Sequence, residues 1–261
     1  MILLGFDVEE FDMPLEYGKT LPFDEQLAVS TKGTNTILEI LDKAGIKATF
    51  FCTANYAVNK PDIIKKIVDA GHELASHGYY HSDFKVEHLL QSKLKLEELS
   101  GAEVTGFRMA RMMPVDEKEI QKAGYTYNSS INPTFIPGRY NNFGKSRSWF
   151  FDEGVLQIPA SVSPLVRWPL FWLTFHNLPM SLIQWMAAAA HRKDGYLNLY
   201  FHPWEFVDIS NKGVYRLPSH ISRHSGDAFI KRLENFIDWA KGKGYEFMRT
   251  GDFAEEIISN R

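Results

Sequence analysis

Short β-branched or aromatic runs alternate with helical patterns along nearly the whole chain, and this alternation constrains the fold more than any other feature. "ILLGFD" (2–7) reads as a strand, and "GTNTILEILDKAG" (33–45) then carries apolar residues at helical spacing up to a glycine stop. "KATFFCT" (47–53) is a strand, "PDIIKKIVDAG" (61–71) a helix opened by proline, and "HELASH" (72–77) a strand again. "VEHLLQSKLKLEELSG" (86–101) is helical, followed by the strand "VTGFR" (104–108) and the helix "DEKEIQKAG" (116–124). Late in the chain come the strand "YLNLYFH" (196–202) and the helix "DAFIKRLENFIDWAKGKG" (227–244), and "YEFMRT" (245–250) then leads into "DFAEEIIS" (252–259). Strands separated by helices predict a parallel sheet, and this many units predict closure into a (β/α) barrel. The units differ in sequence, so no repeat family is read from them.

Composition sets the outer limits. A length of 261 residues suffices for one large domain with a full core, and no linker interrupts the alternation, so a single domain over 1–261 is expected. Hydrophobic residues at 44% and charged residues at 23% exclude a disordered chain. A formal net charge of -3 gives no reason to expect a nucleic-acid partner. Cys52 is the single cysteine, which excludes an intramolecular disulfide and a thiolate metal cluster, and in "ATFFCTA" it is expected to be a core residue. The opening "MILLGF" carries no basic leader or cleavage site, so a cytoplasmic location is expected. The apolar stretch 165–190 contains Arg167, His176, Asn177 and Gln184, with Pro169 and Pro179. It therefore reads as buried helices, with a patch resting peripherally on a membrane as the alternative.

The candidate chemical residues fall at the ends of expected strands, where parallel α/β folds assemble their sites. Asp7 and Glu9 in "GFDVEEF" alternate with Val8, so an extended strand turns both carboxylates to one side. Glu10 then faces the other way and reads as solvated, although Asp7 or Glu10 stands as an alternative to Glu9 for a carboxylate ligand. His77 and His81 in "SHGYYH" have the spacing that puts two rings on one side of a helical turn, as in many zinc sites. Arg108 in "TGFRM" would orient Asp7 if the two meet. His202 ends the strand of "LNLYFHPWEF", where Pro203 stops the pairing and Trp204 can wall a pocket. Taken alone, a strand-end histidine is satisfied by a neighbouring carbonyl.

Taken in order, these pieces resemble the polysaccharide deacetylases of the NodB-homology type, carbohydrate esterase family 4, in a branch with D-V-E in place of adjacent aspartates. "GHELASH", "YNSSINPT" and "IPA" add to the likeness, which runs from residue 1 to about 250. The resemblance implies a distorted (β/α) barrel and hydrolysis of an N-acetyl or O-acetyl group on a bacterial surface sugar or exopolysaccharide. It implies Asp7 as base, His202 as acid, Arg108 as the residue holding Asp7, and Glu9, His77 and His81 as metal ligands. The oxyanion would rest on the metal and on a backbone N–H near Arg111. Two imidazoles and a carboxylate point first to zinc, with cobalt, manganese or nickel able to fill the same set. The sequence departs from the family at Gly78, where a hydroxyl residue is usual, and at Ala110, where proline is usual. Asn128 stands where an aspartate usually tunes the acid histidine, which implies a small upward shift at His202. Two other readings stand beside this one: a deformylase or deacetylase of a lipid-linked aminosugar, and a metal-bound carbohydrate-binding homologue without catalysis.

Overall fold

The computed structural model describes residues 1–138 and 140–261. In the first half, β1 (Ile2–Val8) leads to α1 (Phe23–Ala44), β2 (Thr49–Cys52), α2 (Ala54–Asn59) and α3 (Pro61–Asp69). Next come β3 (Glu73–Ser76), α4 (Glu87–Ser100), β4 (Gly106–Phe107), α5 (Glu117–Lys122) and β5 (Tyr127–Asn128). Two hairpins follow: β6 (Phe135–Ile136) with β7 (Tyr140–Asn141), and β8 (Phe150–Asp152) with β9 (Val155–Gln157). The last third holds α6 (Trp172–Asn177), α7 (Met180–Asp194), β10 (Leu197–Phe201), α8 (Lys212–Tyr215) and α9 (Ser219–Ser222). The chain ends with α10 (Asp227–Gly242), β11 (Phe247–Met248) and α11 (Thr250–Ser259).

The main sheet runs β10-β1-β2-β3-β4-β5-β9-β8, with β11 beside the start of β1. The pairs from β10 to β9 are parallel, as the alternation predicts, and β8 joins β9 antiparallel. The sheet curls until the segment after β9 meets β10. There the Ser161 N–H donates to the Asn198 carbonyl at 2.9 Å, and the Asn198 amide donates to Ile158 and Pro159 carbonyls. The result is the distorted barrel that the resemblance implies, closed at one seam by irregular backbone.

Every residue of β1 is buried, as a parallel strand covered on both faces requires. Ile2, Leu4, Phe6 and Val8 pack in the larger core with helix residues, whereas Leu3 packs with Phe51, Ala75, Tyr127 and Leu156 inside the barrel. Pleating therefore turns Leu3, Gly5 and Asp7 inward. Gly5 leaves the space that Arg108 fills: a Cβ there would lie 2.7 Å from Arg108 Nη1. Gly33 has a matching role on α1, where a Cβ would lie 1.8 Å from the Pro203 carbonyl oxygen. That close approach seats the turn carrying His202 against the helix.

Several boundaries differ from the sequence reading. α1 begins ten residues before "GTNT", because its buried stripe runs through Ser30, Gly33 and Thr34 and so looks polar in sequence. β4 to β9 are two or three residues each, too short for a period to show. In the stretch 165–190, α6 and α7 bury Phe175, Ile183, Met186 and Ala187 as expected. The loop before them does not follow the buried reading: Leu165 is 91% exposed and Val166 72%. Among the described residues, no helix is long and apolar enough to cross a membrane. Cys52 lies in the core, as its apolar surroundings predict.

Candidate active site

The carboxyl ends of β1, β3, β4 and β10 meet at one mouth of the barrel, and all six sequence-derived candidates are buried there. Beyond β1 the chain turns, and Glu9 Oε2 lies 3.2 Å from His77 Nε2 and 3.0 Å from His81 Nε2. The three residues offer ligand atoms within 4.8 Å of one another. Each ring is fixed from behind. The His77 Nδ1–H donates to the Arg108 carbonyl at 2.9 Å, and the His81 Nδ1–H donates to Asp12 Oδ1 at 2.7 Å. Both Nε2 atoms are thereby turned to Glu9, with the outer partners that ligating histidines usually have. Glu9 Oε2 itself is buried with no hydrogen-bond partner among the described residues. A buried orphan acceptor facing two imidazole nitrogens is a donor set that could hold a divalent metal.

The two histidines do not lie on a helical turn. His77 follows β3, Gly78 turns the chain in the left-handed region (φ 83), and the carbonyls of Gly78 and Tyr79 accept from Ala54 and Asn55 at the start of α2. A side chain with a Cβ is strained at that φ, which accounts for glycine where a hydroxyl residue is usual. Electrostatics tighten the group. Burial opposes the charge on His81, yet Glu9 and Asp12 outweigh it and push its pKa up to about 10. Burial likewise raises the Glu9 carboxyl, but the imidazoles hold it well below the usual carboxylate range.

Asp7 and His202 face each other beside this triad, with Asp7 Oδ2 4.0 Å from His202 Nε2. Arg108, fully buried, donates from Nη1 to Asp7 Oδ1 at 2.7 Å, from Nε to the Ser129 carbonyl at 3.1 Å and from Nη2 to Ser129 Oγ at 2.9 Å. Its guanidinium also stacks 4.0 Å from the Phe51 ring centroid. The expected Asp7–Arg108 contact is therefore present. The cleft above is lined by these groups together with Arg111, Asn132, Trp172, Tyr200 and His220.

Three details correct the sequence reading. Glu10 is not solvated: it is 6% exposed, and its carboxylate accepts from Thr53 Oγ1 at 2.7 Å and from Asn55. The strand ends at Val8, so strict alternation no longer fixes where Glu10 points. With Glu10 turned to α2 and Asp7 held by Arg108, Glu9 is the acid that faces the histidines. Second, Asn128 has no part in tuning His202; its amide donates to Glu117 and Gln157. The partner of His202 is Glu205, which sequence reasoning missed. Glu205 Oε1 accepts from the His202 backbone N–H at 2.6 Å and from its Nδ1–H at 2.8 Å. Its signal in the sequence is a glutamate three places after His202, the spacing of a capping box. Burial lowers the His202 pKa, but the Glu205 hydrogen bond and the charges of Glu9, Glu205 and Asp7 outweigh it, so the net shift is upward. Third, Trp204 lies beneath the imidazole rather than on the pocket wall: it is fully buried and stacked 5.0 Å from the His202 ring, while Trp172 lines the cleft.

Where the family's proline is replaced by Ala110, Arg111 and Met112 adopt left-handed backbone (φ 58 and 52). Arg111 reaches across the mouth to Glu16, and to Ser82 at 2.9 Å.

A family model described as polysaccharide deacetylase matches residues 19–127. The peptidoglycan deacetylase of Helicobacter pylori is 27% identical over 144 residues, covering 52% of this chain and 48% of that protein. A peptidoglycan deacetylase-like protein of Gibberella zeae is 33% identical over 112 residues, covering 38% of this chain and 33% of that protein. The chain thus spans half or less of the length of these curated relatives. Among solved structures, one assigned as a polysaccharide deacetylase from Mycobacterium smegmatis aligns with a TM-score of 0.70 at 18% identity, over 99% of this chain and 90% of that one. A carbohydrate esterase family 4 pseudoenzyme from Bacillus anthracis aligns at 0.54 with 15% identity, over 98% and 66%. The chain is thus similar to polysaccharide deacetylases, in sequence over residues 19–127 and in fold along its full length.

Proposed function

We propose that this protein is a metal-dependent deacetylase that hydrolyses the N-acetyl group of an acetylated glycan. The observation that carries the reading is the pairing, in one cleft, of the Glu9–His77–His81 triad with an opposed carboxylate and imidazole, Asp7 and His202. Glu9, His77 and His81 would hold the ion, and two nitrogens with one carboxylate oxygen suit zinc first, then cobalt, manganese or nickel. When bound, such an ion polarises the acyl carbonyl and supplies a water acidic enough to attack near neutral pH.

The remaining work falls to side chains of this chain. Asp7 takes the proton of the attacking water through Oδ2, because Arg108 occupies Oδ1 and fixes the carboxylate plane. His202 offers a proton at Nε2 to the departing amine, and Glu205 holds Nδ1 protonated so that this edge of the ring faces the cleft. Asp7 Oδ2 and His202 Nε2 therefore open, 4.0 Å apart, onto the same cleft. The same retained pairs speak against a homologue that only binds sugar, since a binding module has no use for an Arg108-held base. Release of acetate from N-acetylated chitooligosaccharides, measured before chelation, after it and after zinc add-back, tests the reading. A protein that takes up one zinc and releases no acetate from any acetylated glycan would retire it in favour of the binding homologue.

One observation favours a lipid-linked aminosugar as the substrate. Arg167 donates to the carbonyls of Pro133 and Lys145, while Leu165, Val166 and, at 47%, Trp168 are turned outward. This apolar rim lies next to Asn132 and Ile136 of the cleft, where a lipid tail would be met. Co-sedimentation with anionic vesicles checks it: no binding by the parent protein, or equal binding by Leu165→Asp, removes this substrate class.

A further inference from the structure

Behind His202 lies a second buried histidine that the chemistry above leaves unused. His176, on α6, has no exposed surface, and neither ring nitrogen has a hydrogen-bond partner among the described residues. Its Nε2 sits 3.4 Å from Glu205 Oε2, the one oxygen of that carboxylate which His202 does not occupy and which has no hydrogen-bond partner of its own. Both groups are clamped. The His176 ring stacks on Phe229 with centroids 4.4 Å apart, and its carbonyl accepts from His224 Nδ1 at 2.5 Å. The Glu205 N–H donates to the His202 carbonyl at 3.2 Å, and its own carbonyl accepts from Gly226 at 2.9 Å.

We propose that His176 is a positioning residue for His202, acting through Glu205, whose carboxylate spans the two imidazoles with one oxygen toward each. The proposal rests on the reading of His202 as the acid. Once His202 has given its Nε2 proton to the amine, the ring is neutral and Glu205 remains as a fully buried anion. A buried carboxylate needs a donor on each oxygen to stay in place. The Nε2–H of His176 is the group placed to supply the second one, so Glu205 keeps its geometry through the cycle and His202 keeps its tautomer.

Sharing has a consequence of definite sign. The groups facing His202 are Glu205, Glu9 and Asp7, and those facing the Glu205 carboxylate are His202 and His176. A donor on Oε2 draws charge from Oε1 and so loosens the hold on the His202 proton. Removing that donor tightens the hold, whereas removing the carboxylate charge loosens it further. Glu205→Gln and His176→Phe must therefore move the His202 titration in opposite directions, which a merely structural role for His176 would not do.

The test is NMR of ring-15N-labelled histidines in the full chain loaded with zinc. In the parent, His176 is expected to carry its proton on Nε2. The His202 titration is expected to fall by about one pH unit in Glu205→Gln and to rise by about half a unit in His176→Phe, a substitution that keeps the stacking on Phe229. His176→Gln, which restores a donor near the Nε2 position, should return it toward the parent. The basic limb of kcat/KM should follow each shift with KM within about twofold. An Nδ1–H tautomer at His176 in the parent, readable even where His176→Phe fails to fold, overturns the proposal. So does an unmoved or lowered His202 titration in a folded His176→Phe protein. Opposite shifts in a protein without turnover would uphold the wiring and refute His202 as the acid, so the two failures are distinguishable.

Discussion

Replacing Gly5 by alanine tests how tightly the strand is fitted to the Asp7–Arg108 pair at its end. The added Cβ would stand 2.7 Å from Arg108 Nη1, 3.1 Å from Nη2 and 3.3 Å from Cζ, so the guanidinium must move. Arginine heads usually move easily, but this one is fully buried and is held by Asp7, twice by Ser129 and face-on by Phe51. Overpacking a core costs about 1–3 kcal/mol, and breaking a buried ion pair about 3–5 kcal/mol. Partial relaxation lies between these limits, so Gly5→Ala is expected to lose about 2–4 kcal/mol of stability in urea unfolding with m unchanged. Asp7 loses its anchor in the same event, so kcat should fall by about 10- to 100-fold while zinc content stays that of the parent. Gly242→Ala is the control: nothing lies within 4 Å of its Cβ position, and it should be neutral or gain up to about 1 kcal/mol. A Gly5→Ala protein within about 0.5 kcal/mol of the parent and with parental kcat would refute the reasoning.

Other expectations follow from the same geometry. His77→Ala should lose most bound zinc, assayed by elemental analysis after dialysis, because two remaining ligands hold an ion poorly; full occupancy would put the ligands elsewhere. Zinc loading near pH 7.5 should release close to one proton, since the raised His81 pKa, about 10 without metal, keeps that ring charged until the ion displaces the proton. Calorimetry in buffers of different ionisation enthalpy reads this, and a buffer-independent heat would contradict it. The same raised pKa stabilises the metal-free fold fully below the unfolded histidine value of about 6.5. That contribution should be lost as pH rises toward about 10, so the metal-free melting temperature should fall over this window. The basic limb of kcat/KM should lie above about 6.5, because Glu205 outweighs burial at His202; a limb at or below that value would show that Glu205 does not support the charged ring.

Much of the fold was readable because each parallel strand and its crossover helix leave separate marks, as in "KATFFCT" and "PDIIKKIVDAG". α1 was half hidden because small residues, Ser30, Gly33 and Thr34, belong to its buried stripe, and at Gly33 the Pro203 carbonyl leaves no room even for a Cβ. The residues at the cleft were readable for a simple reason: they end strands, and strand ends converge. Their supporting partners were not. Asp12 and Glu205 lie in turns, where no period says which way a side chain points: Asp12 meets His81, 69 residues away, and Glu205 folds back onto His202, a contact marked only by the capping-box spacing. Glu10 was misread for the same reason, since the strand stops two residues before it.

The most direct measurement is acetate release from an N-acetylated chitooligosaccharide by the parent, Asp7→Asn and His202→Ala proteins, each with zinc content determined on the same sample. The expected result is equal zinc in all three, substrate affinity retained, and turnover lower by about 10²- to 10⁴-fold in each variant. Parental turnover by either zinc-loaded variant would contradict the account.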